Sequence, residues 1–186
     1  MDEKNIILIK QVEHGNQVED FLEIAASIVG IMNTEAMVKV RVSFGTMVSE
    51  LKDVSKSYKE AKLALDVGKI FYVEQEVISY NRLGIGRLIF QLPENLCRIF
   101  MQEIFRNEAE IDLDDDNIKI IEKFFENTLN VSQTAEQLYM HRNTIMYRLE
   151  KVEKATGLNL RNFDDALTFK IAMMVSNYIK YLDSQE

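Results

Sequence analysis

The stretch Asn130-Val-Ser-Gln-Thr-Ala-Glu-Gln-Leu-Tyr-Met-His-Arg-Asn-Thr-Ile-Met-Tyr-Arg-Leu149 decides how the second half of this chain folds. Ser132 is a residue type that caps helix N-termini, and Glu136 lies just past the position that would complete a capping box. A short helix is predicted from Ser132 to about Leu138. Ala135 is small, as a close crossing of two helices requires, and Leu138 and Met140 are apolar on either side of a turn. A second helix is predicted from Arg142. Ile145, Leu149 and Val152 fall on one stripe of it, at spacings of four and three residues. The pair reads either as a helix-turn-helix unit or as a bare hairpin in a helical bundle.

The face opposite Ile145 bears on that choice. At ~100° per residue, Asn143 stands near ~160° and Tyr147 near ~200° from Ile145. Thr144, Met146, Glu150 and Lys151 flank them, with Arg142 and Arg148 at the sides. An Asn side chain suits adenine and an Arg suits guanine, while the flanking groups can contact phosphates or a thymine methyl. In a helix-turn-helix unit the second helix enters the major groove and its N-terminal end reads bases. Arg142, Asn143 and Tyr147 are therefore the candidates for sequence reading. Ser132, Gln133, His141, Thr144, Arg148 and Lys151 are the candidates for positioning on the DNA backbone, and Met146 is an apolar contact beside them. His141 has no partner acid or nucleophile in the pattern, so it reads as a cap or phosphate contact rather than a catalytic base.

Working outward, the 186-residue chain has a net charge of -8, which by itself argues against a nucleic-acid partner. The distribution argues otherwise. Residues 1–126 hold 15 Lys/Arg against 23 Asp/Glu, residues 127–163 hold 5 against 3, and residues 164–186 hold 2 against 4. The one basic window is the helix pair. With 47% hydrophobic and 28% charged residues the chain has the profile of a globular protein rather than a disordered one. Its longest apolar runs fall far below the ~18–20 residues that span a bilayer, and Met1–Lys10 lacks the layout of a signal peptide. One cysteine excludes an intrachain disulfide and, with two separated His, a rich metal cluster. A cytoplasmic location, no metal and no cofactor are expected.

The first half alternates patterns. Ile6–Ile9 is a short β-branched run that reads as a buried strand, and Val18–Ile31 carries apolar residues at helical spacing. Met37–Phe44 alternates cleanly, with Val38, Val40, Val42 and Phe44 on one face, and Gly45 stops it. A helix is predicted from Ser49 to about Asp66, with Gly68 as its C-terminal cap. Ile70–Tyr80 reads as further strand or extended chain. The order β-α-β-α-β predicts an α/β layer domain. From about residues 81–92 onward every period is helical. Pro93 suits the first position of a helix through Phe105, and the cluster Asp112, Asp114, Asp115, Asp116 reads as a solvated helix start rather than a metal site.

The sequence His141-Arg-Asn-Thr-Ile-Met-Tyr-Arg-Leu-Glu-Lys-Val-Glu-Lys-Ala-Thr-Gly-Leu-Asn-Leu160 resembles the C-terminal helix-turn-helix of the sugar-diacid and purine-catabolism regulators (CdaR/PucR type). Arg161-Asn-Phe-Asp-Asp-Ala-Leu-Thr-Phe-Lys-Ile-Ala172 is similar to that family's closing helix. Tyr139 occupies the turn position where such motifs usually prefer Gly, and a bulky aromatic there is normal for this family. Val40-Arg-Val-Ser-Phe-Gly45 with Ser57-Tyr-Lys-Glu-Ala-Lys-Leu-Ala-Leu65 resembles the second half of a GGDEF-like domain. The resemblance implies an α+β chain: a truncated ferredoxin-like/GGDEF-like α/β layer domain over residues 1–82, then an all-α helix-turn-helix domain over 83–186. A GGDEF-type fold would open with a strand, helix and strand before Ile6. The chain is therefore expected to be the C-terminal part of a longer regulator or a shortened relative, with the effector site outside it.

The function this implies is sequence-specific binding of double-stranded DNA by a transcriptional regulator that acts as a homodimer through its α/β half. The alternative is a protein-interaction or dimerisation module without DNA binding. Enzyme readings are weaker. Met-Asp-Glu-Lys-Asn5 before Ile6 has no glycine pair and no acidic-Phe tail, as a nucleotide cyclase would need. Gly84-Ile-Gly86 lacks the Lys and the further glycine of a phosphate loop and reads as a flexible linker. Cys97, among Leu96, Ile99 and Phe100, reads as a core residue.

Overall fold

Two strands that run parallel need a crossover of a dozen residues or more between them, usually a helix. In the computed structural model, which describes residues 5–12, 18–105 and 115–185, strand β1 (Val42–Phe44) pairs in parallel with strand β2 (Val77–Ser79). Val42 lies opposite Val77 and Phe44 opposite Ser79. The crossover carries a 3-10 turn (Leu51–Asp53) and helix α2 (Val54–Phe71), and helix α1 (Val18–Thr34) precedes β1. Polar bonds fasten β1 to α2: Ser43 Oγ donates to the Ala61 carbonyl at 2.8 Å, and the Thr46 amide donates to Glu60 Oε2 at 2.9 Å. Ala25 and Val29 of α1, Ala64, Val67 and Ile70 of α2, Ile78 of β2, and Leu83 are buried as the core of this layer. At Gly45 the chain passes so close to α2 that a Cβ would sit 2.1 Å from the Ser57 carbonyl oxygen.

Several expectations for this half are corrected. Ile6–Ile9 forms no strand, and all four side chains are exposed, Ile6 at 92%. A β-branched run needs a neighbouring strand to complete its backbone bonds, and the only sheet among the described residues is β1–β2. The alternation over Met37–Phe44 yields strand only at Val42–Phe44, and Ile70–Tyr80 divides into the last turn of α2, a turn and β2. Gly68 does not cap α2 but lies inside it, buried, where a Cβ would stand 1.9 Å from Ile78 Cδ1. It is the small residue that lets helix and strand meet. Gly86 is likewise buried and opens the short helix α3 (Gly86–Ile89), rather than belonging to a flexible linker.

The chain divides into two compact units, Met1–Arg87 and Leu88–Glu186. The second is all helical: α4 (Glu94–Ile104), α5 (Asp115–Glu126), α6 (Val131–Gln137), α7 (Arg142–Thr156) and α8 (Phe163–Asp183). With the parallel sheet of the first unit, this makes an α+β chain. Pro93 stands just before α4, as its cap residue, rather than at its first position. Asp112 and Asp114 lie outside the described residues. Cys97 of α4 is buried, and burial pushes its thiol pKa up. The Tyr178 hydroxyl of α8 donates to the Phe90 carbonyl at 2.9 Å, and Arg98 of α4 bonds both Glu94 and Asp183. The main core gathers Ile120, Ile121 and Phe124 of α5, Ala135 of α6, Ile145, Leu149 and Val152 of α7, Leu160, and Phe169 of α8. Among the described residues no helix is long and apolar enough to cross a membrane.

Candidate nucleic-acid interface

Two turns of the same kind place α6 and α7. At the end of α6 the Met140 amide donates to the Ala135 carbonyl at 2.9 Å, and the Tyr139 amide to the Glu136 carbonyl at 3.1 Å. These are the 6→1 and 5→2 bonds of a Schellman termination, which needs a left-handed residue between them. Tyr139 is that residue, with φ of 52° and a side chain 98% exposed. Met140 then packs against the core and turns the chain. His141 caps the next helix: its Nδ1 accepts from the Asn143 amide at 3.2 Å. Between α5 and α6 the Leu129 amide bonds the Phe124 carbonyl and the Thr128 amide the Phe125 carbonyl, with positive φ at both Thr128 and Leu129.

The cap of α6 is Asn130, not Ser132. Asn130 has the extended backbone of a cap residue, and its Oδ1 accepts from the Gln133 amide at 3.1 Å. Ser132 lies within the first turn of α6 and is exposed, as is Gln133. Behind them the buried Asn127 donates through Nδ2 to Gln137 Oε1 at 3.2 Å and to Thr134 Oγ1 at 3.4 Å. This fastens the α5–α6 turn to the body of α6.

Helix α7 begins at Arg142 and seats its apolar stripe completely: Ile145, Leu149 and Val152 are all buried. The opposite face is open. His141, Arg142, Asn143 and Tyr147 are exposed, Tyr147 at 65%. Thr144, Met146 and Lys151 are half-buried at its edges. Arg148 is also half-buried and turns inward, with Nη1 donating to Oδ1 of the buried Asn117 of α5 at 2.8 Å. The expected candidates thus share the surface of α6 and α7, except that Arg148 is engaged with α5. Three residues were missed: Asn130, the true cap; Asn117, the partner of Arg148; and Arg161, in the connection from α7 to α8. The first had a signal, since Asn is a capping type as good as Ser.

Residues 118–175 match the family described as the PucR C-terminal helix-turn-helix domain, and residues 1–67 match the GGDEF-like domain. Over 169 residues the chain is 27% identical to the purine catabolism regulatory protein of Bacillus subtilis (strain 168), covering 87% of this chain and 32% of that protein. It is 28% identical over 160 residues to the carbohydrate diacid regulator of Escherichia coli (strain K12), covering 84% of this chain and 41% of that protein. A third relative, the DNA-binding transcriptional activator AdeR of Bacillus subtilis (strain 168), is 23% identical over 173 residues, covering 90% of this chain and 41% of the relative. The chain therefore spans less than half the length of each.

Proposed function

Because the chain joins a GGDEF-like segment to a PucR-type helix-turn-helix domain, the pairing of CdaR/PucR-type regulators, we infer that it is a sequence-specific DNA-binding transcriptional regulator acting in the cytoplasm. The observation that carries this reading is the paired termination around α6, which leaves the N-terminal face of α7 open while its other face is locked in the core. Such a helix enters the major groove with its first turns against the bases. Arg142 stands at its first position, where a bidentate contact to guanine is available, and Asn143 suits adenine. Tyr147 lies one turn further along the same exposed face. Ser132, Gln133, His141, Thr144 and Lys151 position the backbone, and Met146 meets an apolar base edge. This reading assigns the chain no catalytic step.

Residues 1–82 form the GGDEF-like part and 83–186 the DNA-binding part. The two compact units, divided after Arg87, support a division in this region. The α/β part mediates self-association, a reading supported by the exposed Ile6–Ile9 and by a sheet of only two strands among the described residues. A two-fold dimer suits half-sites spaced by one helical turn or a multiple of it. The test is a mobility shift against duplex DNA at rising salt, with sedimentation in parallel. DNA binding through several phosphates weakens steeply with salt. No saturable shift at low salt, with self-association intact, would instead establish a dimerisation module that does not bind DNA.

A further inference from the structure

Arg161 was not among the expected site residues, yet it shares an open cleft of about 450 Å3 with Arg142, Ser132 and Thr128. The three segments that meet there are distant in sequence: the α5–α6 turn, the start of α7 and the α7–α8 connection. Two arginines and two hydroxyl-bearing residues line one cleft, bringing donors and positive charge with no acidic residue in the lining. Arg142 is exposed, and its side chain makes no hydrogen bond or ion pair among the described residues. That combination suits a phosphate oxygen, for which Arg offers paired donors.

Arg161 is held in place before any ligand arrives. Asn159 Oδ1 accepts from both the backbone amide and Nε of Arg161, at 3.1 and 3.0 Å. The connection on either side is pinned: Leu160 is buried in the core, the Asn159 amide donates to Asp165 Oδ2, and Asn162 caps α8. The outer edge of the guanidinium is held only loosely, with Nη2 3.5 Å from Glu153 Oε2 and both side chains partly exposed. An exposed pair of that length contributes little, so a phosphate can replace the carboxylate without large loss.

We propose that Arg161 is a DNA-backbone contact: at the cleft that Ser132 and Thr128 also line it receives one phosphate of the duplex, which displaces Glu153 from the guanidinium, while Arg142 at the rim of the same cleft stays available to a base edge. The inference rests on the DNA-binding reading given above. A backbone contact positions the protein without reading sequence, so its removal acts on all duplexes alike.

The test is equilibrium binding of the full chain to a mixed-sequence duplex across a salt series, for the parent, Arg161→Ala, Arg161→Lys, Glu153→Gln and Glu153→Gln combined with Arg161→Ala, each with its melting temperature. Arg161→Ala is expected to weaken binding several-fold at moderate salt and to reduce the salt slope by ~0.9, the value of one phosphate. Arg161→Lys restores most of the slope, because it keeps the charge. Glu153→Gln strengthens binding in the parent and less so when combined with Arg161→Ala, a coupling that neither a merely structural pair nor the general loss of a negative charge would produce. If the parent binds steeply with salt while Arg161→Ala keeps its slope and affinity, the cleft assignment fails and the DNA-binding reading stands. If the parent does not bind duplex DNA at all, both fall. Inorganic phosphate is the remaining probe. If it raises the melting temperature of the parent but not of Arg161→Ala, while the DNA slopes of the two agree, the cleft is a site for free phosphate and the proposal is overturned.

Discussion

Arg148 on α7 donates to the side-chain oxygen of the buried Asn117 on α5 at 2.8 Å, joining two helices whose residues lie 31 positions apart. The bond runs from a charged donor to a polar group with little access to water. Its position fixes the rotation of α7 about its axis relative to α5, and so fixes which residues face outward. Losing a hydrogen bond that involves a charged group costs about 1.5–3 kcal/mol. Arg148→Ala is therefore expected to lower the melting temperature of the helical unit by roughly 6–24 °C, given the sensitivity of units of this size. Asn117→Ala should have a comparable effect. An Arg148→Ala protein that melts with the parent but binds DNA less tightly would return this side chain to a purely phosphate-contacting role.

Tyr139 holds the turn between α6 and α7 in a left-handed conformation, with its ring in solvent. Left-handed backbone costs an ordinary L-residue roughly 1–2 kcal/mol. Glycine avoids that cost but loses about 0.4–1 kcal/mol through its freer unfolded state. Tyr139→Gly should accordingly leave stability unchanged or raise it by up to ~1.6 kcal/mol, since no packing is lost. Tyr139→Ile should lower it, because a β-branched residue fits this region worst. Chemical denaturation of the two variants decides the matter, and a Gly variant less stable than the Ile variant would contradict the strain account.

The first unit depends on a different close approach. A methyl group at Gly45 would meet the main chain of α2 at Ser57, and main chain cannot rotate away. Gly45→Ala is expected to destabilise the α/β unit by about 1–3 kcal/mol, the usual range for overpacking. The two units are compact separately, so amide exchange should show the loss over α1, α2 and the two strands and leave α5 to α8 protected. Uniform loss of protection through both units would mean that they unfold together.

How far the sequence could be read depended on whether the deciding information was local. The stripe of α7 is local, since Ile145, Leu149 and Val152 repeat at helical spacing, and the helix starts at Arg142 as that stripe predicts. The cap of α6 is local but ambiguous. Asn130 and Ser132 are both capping types, and only the extended backbone at Asn130 chooses between them. Gly68 follows an apolar stripe and so mimics a C-terminal stop, whereas its smallness answers to Ile78, ten residues on in another element. The run Ile6–Ile9 expresses a preference for burial without naming a partner. Asn117 with Arg148, and Arg142 with Arg161, are brought together by tertiary packing, and no periodicity of the sequence anticipates either.

The division of labour on α7 gives the last prediction. Arg142, Asn143 and Tyr147 are exposed on the face away from the core, and Ile145 between them is wholly buried. Replacing Arg142 or Asn143 by Ala should cost ~1–3 kcal/mol of binding to a selected operator and relax the preference at one base position each. Lys151→Ala should instead weaken all sequences alike and reduce the salt slope by about one phosphate's worth. Ile145→Asp should abolish binding for another reason, since an unpaired carboxylate in the core unfolds the helical unit. Circular dichroism separates that outcome from the other three, which should keep the parent's melting temperature. Selection of bound duplexes from a random pool then tests the assignment position by position. A folded Asn143→Ala protein that selects the same operator with the same stringency as the parent would show that the reading face lies elsewhere on the helix.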